Sequence, residues 1–360
     1  MAVVVLGAGN TGLSIAAKLA LEGHDVVLWE HPDHAAAVAP IRDSRRIMLL
    51  GTGGEGAATL ASVTTDAGDA LSAGDILLAS VPSYAHAAFA SALLPHLRPR
   101  HLLTLLPGNL GSLAFAHRLR AADARPLLAE SDTAPYVCRK TAPDEATIWG
   151  VVPAMGIGAF PAHRTGEALE RLRSYFPGLQ PYPHTLAAGL GAMNPIVHPP
   201  GVLMNAGRIE RSRGEFYFYE EGVTPGVVRV IEALDAERRA LAEAFDITLT
   251  SVAEAFHAAG FGPKGDLWSA INGSRMLTAL RAPGSLQTRW LSEDVPFGLR
   301  TWVELGRVAG VPMPVADALI TLADQVMGAD SWATGRSLED LGIDDLERAA
   351  LMRYLTTGTA

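Results

Sequence analysis

The chain has 360 residues, 49% of them hydrophobic and 19% charged, a length beyond one hydrophobic core and a composition of folded, buried elements, so two domains are expected. A formal net charge of −9 excludes nucleic acid as the main partner, because that binding needs a basic face to displace counterions. No run of roughly 18 apolar residues could span a membrane, "MAVVVLGAGN" lacks the basic start of a secretion signal, and the single Cys138 has no thiol partner, so we expect a cytoplasmic protein with no membrane association and no metal site.

Ala2 to Leu6 is a short apolar run. "GAGNTG" follows at once, and then "LSIAAKLALEG", whose apolar positions recur at helical spacing until Gly23. The next run, "HDVVLWE", reads as a second strand ending in Glu30, eighteen positions after Gly12. This spacing carries a mechanism. Gly7 permits a tight turn, Gly9 lets backbone approach a pyrophosphate, Gly12 lets the helix pack on the strand, and the helix N-terminus receives the negative charge. Gly7, Gly9, Asn10, Thr11, Gly12 and Glu30 are therefore candidate cofactor residues. A carboxylate at Glu30 would accept hydrogen bonds from adenine ribose hydroxyls and repel a 2′-phosphate, which favours NAD over NADP. Arg42, Arg45 and Arg46 could reach a phosphate if the loop folds back, but read more simply as solvated helix or loop charges.

Further strands are expected from Asp75 ("DILLASVPS") and His101 ("HLLTLLPG"), with helices over Ala85 to Leu97 and Ser112 to Ala122. The turns at their ends add Pro82, Ser83, Tyr84, Pro107, Gly108 and Asn109 as candidate cofactor contacts. Cys138 reads as a small hydrophobe in "PLLAESDTAPYVCRK". The strand-like "TIWGVV" follows, and the dinucleotide-binding domain closes near Tyr182; we place it over residues 1–184, with a helical substrate domain over 185–360. The fold class is thus α/β: an N-terminal Rossmann-type doubly wound sheet plus a C-terminal all-helical domain. FAD, which opens similarly, is discounted because the downstream half looks wholly helical.

Helical patterns cover Met193 to Arg211, Pro225 to Phe245, Ser251 to Ala258, Pro296 to Ala309 and Pro314 to Met327. Hydride transfer to a carbonyl or imine needs an acid–base group and a cation for a substrate carboxylate. Lysine is almost absent from this half (Lys264 alone), so lysine-dependent ketopantoate and glycerol-3-phosphate reductases fit poorly. His257 reads as a surface residue near a helix end. His198, in "MNPIVHPPGVLMN", is either a hydrogen-bonded core histidine or the acid–base group, with Pro195, Pro199 and Pro200 interrupting or starting its helix.

The segments "NPIVHPPGVLMNAGRIE" and "RWLSEDVPFGLRTWVELGRVAGVPMPVADALI" resemble the helical domain of the octopine/nopaline dehydrogenase family, especially bacterial opine dehydrogenases that make N-(1-carboxyalkyl) amino acids. The likeness runs across nearly the whole chain and includes "GAGNTG", "FYEEGVTP" and "LDAERRALAEAF". It implies that His198 is the catalytic acid–base group, that Asp294 pairs with it, that Arg289 binds a substrate carboxylate and that Asn205 lies at the site. A carboxylate beside an imidazole stabilises its charged form and fixes its tautomer, and an arginine fork can hold a carboxylate bidentately. The resemblance implies an NADH-dependent reductive condensation of an amino acid or amine with a 2-oxo acid such as pyruvate, the reverse oxidation using NAD. Alternatives are a reductase of 2-oxo acids to hydroxy acids and a non-catalytic NAD-binding sensor. Asp330 to Ala360 reads as a capping turn and terminal helix whose apolar face could cover the helical domain or a second subunit, so a homodimer is expected.

Overall fold

The computed structural model describes residues 1–120 and 125–359. Among the described residues twelve strands form two sheets: β1 (Val3–Leu6), β2 (Val26–Trp29), β3 (Arg46–Gly51), β4 (Gly56–Thr59), β5 (Ser62–Thr64), β6 (Ile76–Ala79), β7 (Leu102–Leu105), β8 (Leu127–Ser131), β9 (Tyr136–Ala142), β10 (Glu145–Val151), β11 (Met155–Phe160) and β12 (Leu179–Pro181). The helices α1 (Asn10–Leu21), α2 (Ala67–Ala73), α3 (His86–Leu93), α4 (Gly111–Arg118) and α5 (Thr165–Leu172) accompany them. The described residues divide into two compact units, one of Met1–Gly189 with Tyr354–Thr359 and one of Leu190–Arg353.

In the first unit the larger sheet has the order β12-β11-β8-β7-β6-β1-β2-β5. It is parallel from β8 to β5, whereas β11 runs antiparallel to β8. Strands β1 and β2 are buried along their whole length, which explains why they read as unbroken apolar runs instead of alternating ones. The second sheet, β4-β3-β10-β9, was not anticipated, and Arg46 begins β3 there instead of standing in a loop. The helix expected over Ala85 to Leu97 is His86–Leu93, and the one expected over Ser112 to Ala122 is Gly111–Arg118, with Ala121 and Ala122 outside the described residues. Cys138 lies partly buried on β9, and burial pushes its thiol pKa up.

The helices continue with α6 (Thr185–Gly191), α7 (Asn194–Leu203), α8 (Ala206–Ser212), α9 (Pro225–Ala244), α10 (Val252–Ala258), α11 (Leu267–Asn272), α12 (Arg289–Ser292), α13 (Arg300–Ala309), α14 (Pro314–Met327), α15 (Ser331–Thr334), α16 (Leu338–Leu341) and α17 (Arg348–Thr357). In the second unit α9 is anchored by a buried pair, Asp235 and Arg238, 2.6 Å apart; Arg238 also donates to the Leu190 and Thr250 carbonyls and Asp235 accepts from Val252 N. The tail does more than cap: in the first unit the Tyr354 ring lies 4.9 Å from Phe160, and Arg120 stands over its face. No helix among the described residues is long and apolar enough to cross a membrane.

Candidate active site

The glycine turn forms as its spacing requires. Gly7 has φ +97° and donates its N–H to the Trp29 carbonyl at 2.8 Å, closing β1 onto β2. A Cβ on Gly12 would stand 1.9 Å from the Gly7 carbonyl oxygen, so only glycine lets α1 begin so close to the strand. Beside Gly9 there is open space within 4 Å, and no side chain caps α1, which leaves its first N–H groups available to an anion. A pyrophosphate therefore fits here. Glu30 is buried and accepts from Ala8 N at 2.7 Å through Oε2 and from His31 N at 2.8 Å through Oε1. Each oxygen keeps a lone pair for a ribose hydroxyl. Of the arginines that could have favoured a 2′-phosphate, Arg45 donates to the Ala61 carbonyl at 3.0 Å and Arg46 begins β3.

Registers Leu6 to Trp29, Leu6 to Ala79 and Ala79 to Leu105 align the ends of β2, β1, β6 and β7, so the glycine turn, Glu30, Pro82–Ser83 and Pro107–Gly108 share one sheet edge. Here β1 is the point from which successive strands depart in opposite directions, the place where open α/β sheets bind ligands. Within that edge individual residues differ in what holds them. Asn10 Oδ1 accepts from Lys140 N at 3.0 Å, and Thr11 Oγ1 lies 3.8 Å from Cys138 Sγ. Ser83 is buried and accepts from Asn109 Nδ2 at 3.1 Å. Gly108 is packed against Glu130, where a Cβ would meet the Glu130 Cβ at 2.2 Å. Glu130 itself was missed by sequence reasoning. It is fully buried and accepts from Leu110 N and Ser112 N, both at 2.9 Å, compensating the start of α4. Its one signal is an acid inside the apolar strand "PLLAES".

The second unit brings His198 and Asp294 together. His198 Nδ1 lies 2.8 Å from Asp294 Oδ2, with side chains 12% and 6% exposed, so the pair is shielded enough for a charge-assisted bond to count. Burial pushes the Asp294 carboxyl up, opposed by the bond from His198. The imidazole also stacks flat on Trp290, centroids 4.4 Å apart and planes 10° from parallel, and Phe218 meets the Trp290 ring edge-on with centroids 4.6 Å apart. Gly201 makes room for it, since a Cβ there would meet Phe218 Cζ at 2.4 Å. Two π-helical turns frame these groups: Phe218–Gly222 carries Phe218, and Val295–Leu299 starts directly after Asp294.

Contrary to expectation, Pro199 and Pro200 do not interrupt the helix: α7 runs through both, with Pro195 in its first turn. The prolines are buried in the helix packing, where Pro195 meets Gly298 so closely that a Cβ on that glycine would stand 2.7 Å away. The chain breaks instead at Met204–Asn205. Asn205 Nδ2 donates to the Gly201 carbonyl at 2.8 Å and the Gly222 carbonyl at 3.0 Å, tying α7 to the π-helical turn. Arg289 begins α12, half-exposed, and its Nε and Nη2 reach Glu293 Oε2 at 2.8 and 2.6 Å. Adjacent acids thus serve the two groups: Glu293 holds Arg289 and Asp294 holds His198. His257 is exposed, bonded to the Gly262 carbonyl at 3.0 Å.

Residues 181–327 match the model of the NAD/NADP octopine/nopaline dehydrogenase alpha-helical domain, and residues 2–107 that of the NAD-dependent glycerol-3-phosphate dehydrogenase N-terminus. Over 349 residues the chain is 34% identical to an opine dehydrogenase of Arthrobacter sp. (strain 1C), covering 96% of both chains. The chain belongs to the opine dehydrogenase family. It is an NAD-dependent oxidoreductase acting on CH–NH bonds, with NAD(H) as cofactor. Its fold matches octopine dehydrogenase solved with NADH and agmatine at TM-score 0.79 and 20% identity, and the same enzyme solved with NADH and pyruvate at TM-score 0.77 and 20% identity, each comparison covering 100% of this chain and 98% of the other.

Proposed function

We propose that His198 is the acid–base group and Asp294 its partner in the NADH-dependent reductive condensation of an amino acid or amine with a 2-oxo acid such as pyruvate. The observation that carries this assignment is the 2.8 Å bond between His198 Nδ1 and Asp294. With Nδ1–H donated to the carboxylate, Nε2 is the ring atom left to exchange a proton with substrate. Amine and oxo group lose water to form an imine; NADH, which the glycine turn and Glu30 would hold, would supply the hydride for its carbon, and a proton completes the secondary amine. In this direction His198 Nε2 is the acid, and in the oxidation it is the base. Arg289 binds the oxo-acid carboxylate. Its Nε and Nη2 are engaged by Glu293, so the substrate meets the remaining guanidinium donors or displaces that carboxylate. Asn205 has committed Nδ2 to two carbonyls, leaving Oδ1 as its group for a substrate amine.

Within this reading, residues 1–184 bind the dinucleotide through the glycine turn and Glu30, with Pro82, Ser83, Pro107 and Gly108 along the cofactor, and residues 185–360 hold substrate and catalytic groups. The enzyme is cytoplasmic, in keeping with its single unpaired Cys138, and homodimeric, which light scattering of the purified protein tests. NADH oxidation with pyruvate, with and without a mixture of amino acids, tests the reaction: consumption that needs the amine supports it, and consumption by pyruvate alone establishes hydroxy-acid reduction instead. His198→Ala is expected to lower kcat roughly 10²- to 10⁴-fold while NADH binding holds. An equal loss of NADH binding would make His198 structural.

A further inference from the structure

The first unit contains a cavity of about 480 Å³ that the reaction leaves unused. It opens at the far end of α1, where Glu22 is ten positions beyond Gly12, about 15 Å along the axis at 1.5 Å per residue. Its walls come from the β9–β10 stem and the segment between α5 and β12. Most of the lining is apolar or aromatic, with Tyr136, Val152, Phe176 and Pro177 among it, and His24 and Tyr175 stand with ring centroids 4.9 Å apart.

Two polar features of this lining are unmatched. Tyr136 is 5% exposed as a residue, and its hydroxyl, which makes no hydrogen bond to the described residues, is not among the polar atoms shut off from solvent, so it stays open to a molecule in the cavity. Arg173, at the exposed rim, has no ion-pair partner among the described residues. The other full charges in the lining, Lys18 and Glu22, neutralise each other at 2.6 Å. The cavity therefore offers an apolar body, one uncompensated cation and one hydroxyl donor.

We propose that this cavity is a binding site for a small apolar monocarboxylate with an aromatic or branched body. The carboxylate meets Arg173 and accepts a hydrogen bond from Tyr136, and the body lies among the rings. The volume is that of a small-molecule site. A dianion such as a phosphate ester fits worse, because one cation serves it while Glu22 stands nearby.

The inference is independent of the reaction assigned above, and its test reads binding and not turnover. Phenylacetate is titrated calorimetrically into the full chain saturated with NADH, with phenylacetamide and inorganic phosphate as comparison probes. Saturable binding of phenylacetate is expected, with phenylacetamide and phosphate at least about tenfold weaker. Arg173→Gln should weaken phenylacetate about tenfold and Tyr136→Phe several-fold, whereas Arg289→Ala should leave it unchanged. Absence of binding to millimolar concentrations overturns the proposal. So does binding that survives Arg173→Gln and is lost in Arg289→Ala, which would place the carboxylate on Arg289.

Discussion

Replacing Asp294 by Asn keeps the shape of the side chain and removes the charge opposite His198. The bond it alters is 2.8 Å long, between side chains 12% and 6% exposed, so solvent compensates little of the loss. A hydrogen bond to a charged group contributes about 1.5–3 kcal/mol, and each 1.4 kcal/mol is a factor of about ten, which gives a fall in kcat of roughly 10- to 150-fold if the whole term acts in the transition state. The asparagine carbonyl can still accept from Nδ1–H, so the lower half of that range is expected. The assay is NADH oxidation with pyruvate and amino acids, paired with NADH binding by fluorescence. Near-UV circular dichroism checks that the Trp290 stack on His198 survives. A folded Asp294→Asn protein whose kcat is within about threefold of the parent sinks the acid–base pairing.

Gly12→Ala would drive a Cβ to 1.9 Å from the Gly7 carbonyl oxygen and should abolish NADH binding in a protein whose helical unit remains folded, read by fluorescence titration beside circular dichroism; unchanged affinity would remove the glycine turn from the cofactor site. Gly201→Ala would meet Phe218 at 2.4 Å, and since Phe218 packs edge-on against Trp290, turnover should fall by about tenfold with a loss of about 1–3 kcal/mol in urea melts; parent-like values in both would show that Phe218 does not hold the stack. Asp132 is pushed up to about 6 by burial, against its ordinary 3.8, despite hydrogen bonds from Gly156 N and Tyr182 Oη, both at 3.0 Å. A raised carboxyl pKa favours folding below 3.8 and loses that advantage as pH rises through about 6, so Asp132→Asn should stabilise by about 1–2 kcal/mol more at pH 8 than at pH 5, and an equal effect at both would contradict the shift.

The parts of this fold that could be read ahead are those whose signals are local. Helix α14 matches its expected span of Pro314 to Met327, because proline opens it and Gly328, at φ +60°, closes it. The unit β1–α1–β2 was equally legible, its turn being written in glycines. By contrast, β4 is "GAAT", a strand with little intrinsic preference, and it exists because Met48 and Leu49 of β3 pair with it while β10 pairs on the other side. The β3–β4 pairing is a short hairpin, but the β3–β10 ladder that extends it into a sheet joins residues about a hundred positions apart, so a local pattern carries no trace of it. The candidate site divides in the same way. Residue type pointed to His198 and the family resemblance to Asp294 and Arg289, but neither pointed to Glu293, Trp290 or Phe218, whose placement comes from the helix break after α12 and from the π-helical turn Phe218–Gly222. After Ser292 the backbone leaves α12 and enters a π-helical turn from Val295, and between the two Glu293 turns to Arg289 while Asp294 turns to His198. Two acids in sequence would face different ways on most backbones; what this one adds is that each faces the partner its neighbour would otherwise compete for. That sorting of charges is a property of the helix break, and it makes the segment Arg289 to Leu299 the element whose backbone geometry the proposed chemistry depends on most.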